Sequence, residues 1–229
     1  TKTLPCTLWF FDKGKPEALR DSVLFLDARE VYTPVSRKVN EWSAWQLRNL
    51  AAIVRLYRGR KDDYARLLAD YRAALGIDAT VPFAQAKDEA EAALAKTRAD
   101  AEAALAALKN KRGNREAKAA WARREAEAKA RLESATQALW LTEKFGEHEG
   151  TYRDIPGLCK AATRAEIAAK NYSFTPGVYV GVPETPPEDE SVFAERMAAI
   201  HAELAMLSTQ AEGLMKVILA NAETLTKKV

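Results

Sequence analysis

The chain has 229 residues, of which 48% are hydrophobic and 29% charged, so it can form one or two globular domains with a real core. A net charge of only +3 gives no general signal for nucleic-acid binding, and any basic surface must therefore be local. The two cysteines, Cys6 and Cys159, exclude a disulfide framework and favour a cytoplasmic setting, and no apolar run approaches the roughly 20 residues that span a bilayer.

Two apolar runs near the start predict buried strands. They are residues 4–11 (LPCTLWFF) and 23–28 (VLFLDA). The eleven residues between them are too few for a comfortable crossover helix, so we expect an antiparallel pair. A lone pair is only marginally stable. We therefore assign residues 1–33 to a larger sheet. Because the chain starts at Thr1 and not at Met, and opens directly into a strand-like run, we expect a fragment whose first half lies upstream. The start has no signal-peptide pattern.

Residues 34–76 predict two amphipathic helices that pack on this sheet. In the first, apolar residues recur at helical spacing over 41–58, with Asn40 as the predicted cap and Gly59 as the stop. In the second, Asp62 is the predicted cap and Gly76 the stop.

Residues 82–145 predict an Ala-rich antiparallel helical hairpin. Its arms are residues 83–109 and 116–144, joined by a polar tip at 110–115 (NKRGNR). Large apolar side chains are few, so we expect the hairpin to project as an arm and not to anchor a fold.

The tip is locally basic, with nine Lys or Arg against three Glu in residues 109–131. Lys111, Arg112 and Arg115 are therefore candidate contacts to a DNA backbone. A solvated helical face with ordinary charge pairing explains the same residues, and it is favoured by the absence of any accompanying aromatic or Gly/Ser contact pattern.

Residues 146–182 predict a loop, a short helix and an extended segment. Residues 145–162 carry several turn formers, and Thr163 with Glu166 has capping-box spacing for a helix that Asn171 can end. The aromatic stretch 172–182 predicts extended chain turning at Pro176 and Gly177.

Residues 185–227 predict one long helix. It starts with a capping box at Thr185 and Glu188, and Gly213 weakens its interior. Its apolar residues repeat in alternating steps of four and three, which is typical of a helix that buries a narrow stripe against another helix. The stripe, with Asn221 as its polar position, is Phe193, Met197, Ile200, Leu204, Leu207, Ala211, Leu214, Ile218, Asn221 and Leu225. Periodicity alone leaves an internal bundle helix and a partner interface equally supported.

Three stretches together resemble the C-terminal part of the DNA methyltransferase subunit of type I restriction-modification systems. They are LPCTLWFFDKGKP with VLFLDARE, then EWSAWQLRNLAAIVRLYRG, then EIAAKNYSFTPGVYVGV with FAERMAAIHAEL. They occur in the family's order, whereas the hairpin at 82–145 resembles no part of the family and is interpreted as an insertion. The resemblance implies that residues 1–33 are the last strands of a catalytic-domain sheet.

The resemblance also implies S-adenosylmethionine-dependent methylation of adenine N6 in DNA by the full complex. The family's Gly-containing cofactor loop and its NPPF-type loop, which grips a flipped base, are both absent from this sequence. We therefore assign no catalytic, cofactor-binding or metal-binding residue here, and expect no cofactor in this chain and no activity from it alone.

What the resemblance does imply is assembly, because C-terminal helices of this subunit pack on the helical spacers of the DNA-specificity subunit. The predicted partner-binding residues are the large members of the stripe, namely Phe193, Met197, Ile200, Leu204, Leu207, Leu214, Ile218 and Leu225. The alternative is a structural coiled-coil module that self-associates through the same helix and has no link to methylation.

Overall fold

The computed structural model describes residues 6–36, 39–107, 111–148, 150–183 and 190–226. The chain divides into two units, residues 1–183 and 184–229. The described residues form seven α-helices, one two-stranded antiparallel sheet and one shorter strand pair. The predicted fold class, mainly α with a helical hairpin and a long final helix, is confirmed.

The sheet pairs strands from opposite ends of the first unit. Strand β1 (Ser22–Leu26) lies antiparallel to β4 (Cys159–Thr163), with Ser22 opposite Thr163. The predicted pairing of residues 4–11 with 23–28 is therefore wrong, since residues 6–11 have no regular structure and residues 4 and 5 lie outside the described ranges. The prediction of a loop through residue 162 is also wrong where β4 forms. Local sequence patterns do not reveal a partner that lies so far along the chain.

Helix α1 (Ala44–Tyr57) follows a short strand pair, β2 (Thr33–Pro34) with β3 (Asn40–Glu41). Its cap is Ser43 and not the predicted Asn40, which lies in β3. The Ser43 hydroxyl accepts a hydrogen bond from the Gln46 amide at 3.2 Å, and the Gln46 side chain accepts one from the Ser43 amide at 2.9 Å. This reciprocal capping box satisfies two helix-end donors at once.

Helix α2 (Lys61–Leu75) ends as predicted at Gly76, whose φ of 63° is the left-handed conformation that favours glycine. The predicted cap is wrong, because Asp62 lies inside the first turn and the residue before the helix makes no side-chain cap. Asp62 and Asp63 sit where the helix dipole favours carboxylates.

The hairpin consists of α3 (Phe83–Ala107) and α4 (Lys111–Phe145). Its arms are antiparallel, since Glu147 accepts a hydrogen bond from the Phe83 amide at 3.1 Å while Arg98 meets Glu125 at 3.0 Å. The base of the hairpin is part of the main core, which contradicts the expectation that it could not anchor a fold. Small side chains let the helices pack closely without much apolar area.

The main core gathers side chains from the first four helices and the inner face of β1. Its largest fully buried side chains include Ile53, Tyr64, Tyr71, Phe83, Leu75 and Leu141. A polar network crosses this core, because Tyr71 donates to Asn49 Oδ1 at 2.8 Å and Asn49 donates to the Gln137 carbonyl at 2.9 Å. Burial is therefore accompanied by satisfied hydrogen bonds.

A smaller core covers the outer face of the sheet. Phe25 stacks on Tyr179 with ring centroids 3.9 Å apart, and Ile167 packs beside them. Ile167 lies in α5 (Arg164–Ala169), which begins with the predicted Thr163–Glu166 capping box, and Asn171 follows the helix with a φ of 52°.

The stretch 172–182 is not extended as predicted. It contains a short helix, α6 (Gly177–Val180), which starts after Pro176. Pro176 takes up helical dihedrals, and its carbonyl accepts a hydrogen bond from the Tyr179 amide at 2.9 Å. The Pro-Gly pair therefore begins a helical turn in this sequence and does not reverse an extended chain.

The second unit contains helix α7 (Glu190–Thr226), which has 37 residues and is therefore about 55 Å long at 1.5 Å per residue. The predicted cap at Thr185 and Glu188 lies outside the described residues. The helix itself is confirmed.

Candidate assembly surface

Helix α7 carries the predicted stripe along one side, and its described members are exposed. Exposure ranges from 36% at Met197 to 65% at Leu214. Ile200, Leu204, Leu207 and Ile218 lie between these values. The side chains of Phe193 and Leu225 lie outside what is described. Exposure of a series of large apolar side chains to water is unfavourable, and burial of these side chains against a complementary apolar surface would lower the free energy.

The stripe is wider in the second half of α7 than its heptad pattern predicts. Met215 and Leu219 are 57% and 56% exposed and lie beside Leu214 and Ile218. At 100° per residue, the stripe positions in residues 197–207 span about 80°, with the 53% exposed Met206 about 100° outside them, whereas the apolar residues of 214–219 span one continuous arc of about 140°. A heptad count misses these two positions because it selects only two residues in seven, whereas a helical wheel includes them.

Gly213 lies in the interior of α7, and no described atom lies within 4 Å of where its Cβ would be. No close approach of another described chain segment therefore requires glycine at this position.

A second exposed apolar surface lies beside the outer face of the sheet. Leu8, Trp9, Phe10 and Phe11 are between 60% and 90% exposed. Trp9 contacts Phe174 with ring centroids 5.2 Å apart, which joins this run to the smaller core. The segment thus lies against the sheet without being covered by it.

The sheet also has an open edge on β1. In an antiparallel pair, every second residue directs its backbone N–H and C=O groups toward the neighbouring strand. The Asp27 amide bonds the Leu158 carbonyl and the Arg164 amide bonds the Asp21 carbonyl, so Asp21 and Asp27 are residues of this kind. By that alternation, the backbone groups of Leu24 and Leu26 point away from β4. Within the described ranges no hydrogen bond reaches these groups. An unpaired strand edge is a template for another strand.

The three residues predicted to contact DNA lie in the first turns of α4 and not in a loop. Lys111, Arg112 and Arg115 are thus placed on a helix, and Arg115 is exposed. Their contact with DNA stays a prediction. The Gly-containing sequence of residues 110–115 favours a loop, but α4 already begins at Lys111. The basic residues 111–131 therefore lie on one helix.

The pKa shifts of Asp27 and Cys159 have structural causes, namely an ion pair and burial. The Arg29 guanidinium bonds both carboxylate oxygens of Asp27 and lowers the pKa of that carboxyl. Burial raises the pKa of the Cys159 thiol, which is the opposite of what a reactive thiol needs. In the described ranges, no three His, Cys, Asp or Glu side chains are grouped as metal ligands.

Part of the chain is similar to the type I restriction enzyme MjaIX methylase subunit of Methanocaldococcus jannaschii. The two are 30% identical over 61 residues, which is 27% of this chain and 11% of the relative. No protein-family model and no solved structure matches the chain. Since it spans about a tenth of that subunit, the similarity supports a methyltransferase relationship only loosely.

Among the described residues, no helix combines the length and the apolar character that crossing a bilayer requires.

Proposed function

We propose that this chain is the C-terminal portion of the methyltransferase subunit of a cytoplasmic type I restriction-modification system, and that it joins that subunit to the DNA-specificity subunit. The full complex would transfer a methyl group from S-adenosylmethionine to adenine N6. The observation that carries the proposal is the exposed stripe on α7, in a chain with partial similarity to a type I methylase subunit.

The size of the stripe supports an interface that uses its whole length. Fully burying a Leu, Ile or Met side chain gives about 1.5–3 kcal/mol, so a half-exposed one gives roughly 1 kcal/mol. Together the six described large stripe residues, with Met215 and Leu219, give roughly 8 kcal/mol. Association costs about 4–15 kcal/mol. Two or three of these side chains are therefore not enough, and the partner needs to be a helix that follows the stripe.

The open edge of β1 supports the assignment of residues 1–33 to a larger sheet. A strand added there would satisfy the free backbone groups of Leu24 and Leu26. A strand added at this edge would also cover part of the exposed apolar residues 8–11, because these residues lie beside the sheet.

The chemistry of the proposed complex lies outside this chain. The sequence contains no Asn-Pro-Pro and no Gly-x-Gly loop, which are the motif types that would cradle the cofactor and grip a flipped base. We expect the isolated chain to bind no S-adenosylmethionine in a calorimeter. Micromolar binding would overturn this assignment.

The test of assembly is a double charge insertion in the stripe. The variant Leu204→Glu with Leu214→Glu places carboxylates in the buried seam and should abolish co-purification with the specificity subunit. The matched control, Ala202→Glu with Thr209→Glu, adds the same charge to exposed positions on the opposite side of α7. The control should co-purify normally, and circular dichroism should show the same helix content for both variants. A stripe variant that still co-purifies would contradict the proposal.

A second candidate function follows from the same exposure. A helix that forms a separate unit and exposes an apolar stripe could pair with a second copy of itself, as in a structural coiled-coil module. This candidate predicts self-association without any second protein.

A further inference from the structure

The positive charge of this protein is concentrated in one segment of α4. Residues 111–131 contain eight Lys or Arg and three Glu, a net charge of +5. The whole chain carries +3, so the remaining residues together carry −2. A segment that is basic within an otherwise slightly acidic chain makes a local positive field.

The acidic residue in the seam of this segment is already neutralised. Glu125 is bonded by Arg98 from α3 at 3.0 Å and by Lys129 from α4 at 2.9 Å. These two hydrogen bonds lower the pKa of the Glu125 carboxyl, with Lys129 making the larger contribution. Glu125 is therefore committed to holding the arms of the hairpin together.

Four other cations of the segment have no such partner among the described residues. No described carboxylate lies within 4 Å of their charged groups, and all four are exposed. They are Arg115, Lys118, Arg123 and Arg131. Their charge is available to an external polyanion.

The remainder of the segment favours a phosphate backbone over a membrane. The described part of the hairpin has no exposed large hydrophobic side chain, and Trp121 is half-buried, with the Arg124 guanidinium over its ring at 4.7 Å from the ring centroid. A membrane-binding helix needs an exposed apolar face, which the described part of α4 lacks. Arginine forks match phosphate geometry, and three of the four available cations are Arg.

The hairpin is also held rigidly enough to present these charges. Its base, including Phe83 and Leu141, is fully buried in the main core. The four cations thus lie within residues 111–131, a stretch of α4 about 30 Å long, and the opposite end of this 35-residue helix is anchored in the core.

We propose that residues 111–131 of α4 bind the phosphate backbone of duplex DNA through Arg115, Lys118 and Arg123, which lie within about 140° of one another around the helix. The site is independent of the α7 stripe and of the proposed methyltransferase relationship. Recognition would be electrostatic and independent of base sequence.

The test measures binding of the full chain to labelled duplex DNA by fluorescence anisotropy, with salt raised from about 50 to 200 mM. The wild type should bind with a Kd of about 10⁻⁶ to 10⁻⁴ M, as sequence-independent binding does. The variant Arg115→Gln, Lys118→Gln, Arg123→Gln should bind about tenfold or more weakly. The slope of the logarithm of its binding constant against the logarithm of salt concentration should become shallower by roughly 0.9 for each phosphate that the variant can no longer neutralise.

The matched control removes the same charge elsewhere, with Lys13→Gln, Arg20→Gln and Lys61→Gln at exposed positions that make no ion pair in the described chain. It should keep the wild-type slope. Equal weakening in both triple variants, or no DNA binding by the wild type, would overturn the proposal. Binding to anionic phospholipid vesicles without binding to DNA would also overturn it.

Discussion

Replacing Leu141 in α4 tests whether the hairpin is part of the fold. Leu141 is fully buried in the main core beside Ala138 and Phe145. Leu141→Ala removes buried methyl groups and leaves a cavity, which costs about 2–5 kcal/mol. At about 2–4 °C per kcal/mol for a domain of this size, Tm should fall by roughly 4–20 °C.

The assays are urea denaturation and thermal unfolding, each followed by circular dichroism, with Leu105→Ala as the matched control. Leu105 lies in the distal part of α3 and is only half-buried, so the same substitution there should cost less than about 1 kcal/mol. A small and equal destabilisation in both variants would refute the conclusion that the base of the hairpin anchors the core, and would restore the simpler expectation of an appended arm.

Three further substitutions test other parts of the structure. Tyr71→Phe leaves Asn49 Oδ1 buried without its donor and should cost about 1–3 kcal/mol in urea denaturation; an unchanged stability would contradict the network. Asp27→Asn should destabilise the protein at neutral pH, and the difference from the wild type should shrink as pH falls below about 4. Arg29 lowers the pKa of Asp27 in the folded state. The ion pair therefore stabilises the fold above the pKa that Asp27 has in the unfolded chain, and this stabilisation is lost as pH falls through the pKa that Asp27 has in the folded protein. A difference in stability that does not change with pH would refute this reasoning. Gly213→Ala should stabilise α7 by about 1 kcal/mol in a thermal melt followed at 222 nm, whereas reduced helicity would mean that Gly213 has a packing role.

Helix ends and periodicity can be predicted from the sequence wherever the controlling contacts are local. Gly59, Gly76 and Asn171 follow the ends of helices, as predicted, and all three take positive φ. The Thr163–Glu166 capping box also forms. The wrong cap predicted for α1 could also have been avoided from the sequence, because Ser43 and Gln46 have the spacing of a capping box.

The strand partners cannot be predicted in this way. The strand signal of β1 is strong, but its partner β4 (CKAAT) has few of the bulky residues that mark strands, and the whole hairpin separates the two in sequence. The local pattern therefore favours a pairing of β1 with the nearest apolar run, which does not form. Pairing over such a distance is decided by the packing of the helices between the strands and not by local preference.

The contribution of the hairpin to the main core could not be predicted from a count of large apolar residues. Counting large apolar residues misses the contribution of small ones, and Ala86, Ala90, Ala135 and Ala138 are all essentially buried. Alanine adds little area by itself, but it allows close helix contact. The helix that carries the stripe, by contrast, forms as predicted, because its pattern depends only on residues of that helix, while the partner-binding role of the stripe stays a prediction.

Sedimentation velocity tests the central claim, which is that α7 joins this chain to a specificity subunit. We expect the chain alone to sediment as a monomer across a range of concentrations and to form a faster complex when the specificity subunit is added. We also expect Leu204→Glu with Leu214→Glu to prevent that complex from forming. Concentration-dependent self-association that the same double substitution abolishes, with no complex in the presence of the specificity subunit, would contradict this claim and support a self-associating coiled-coil module.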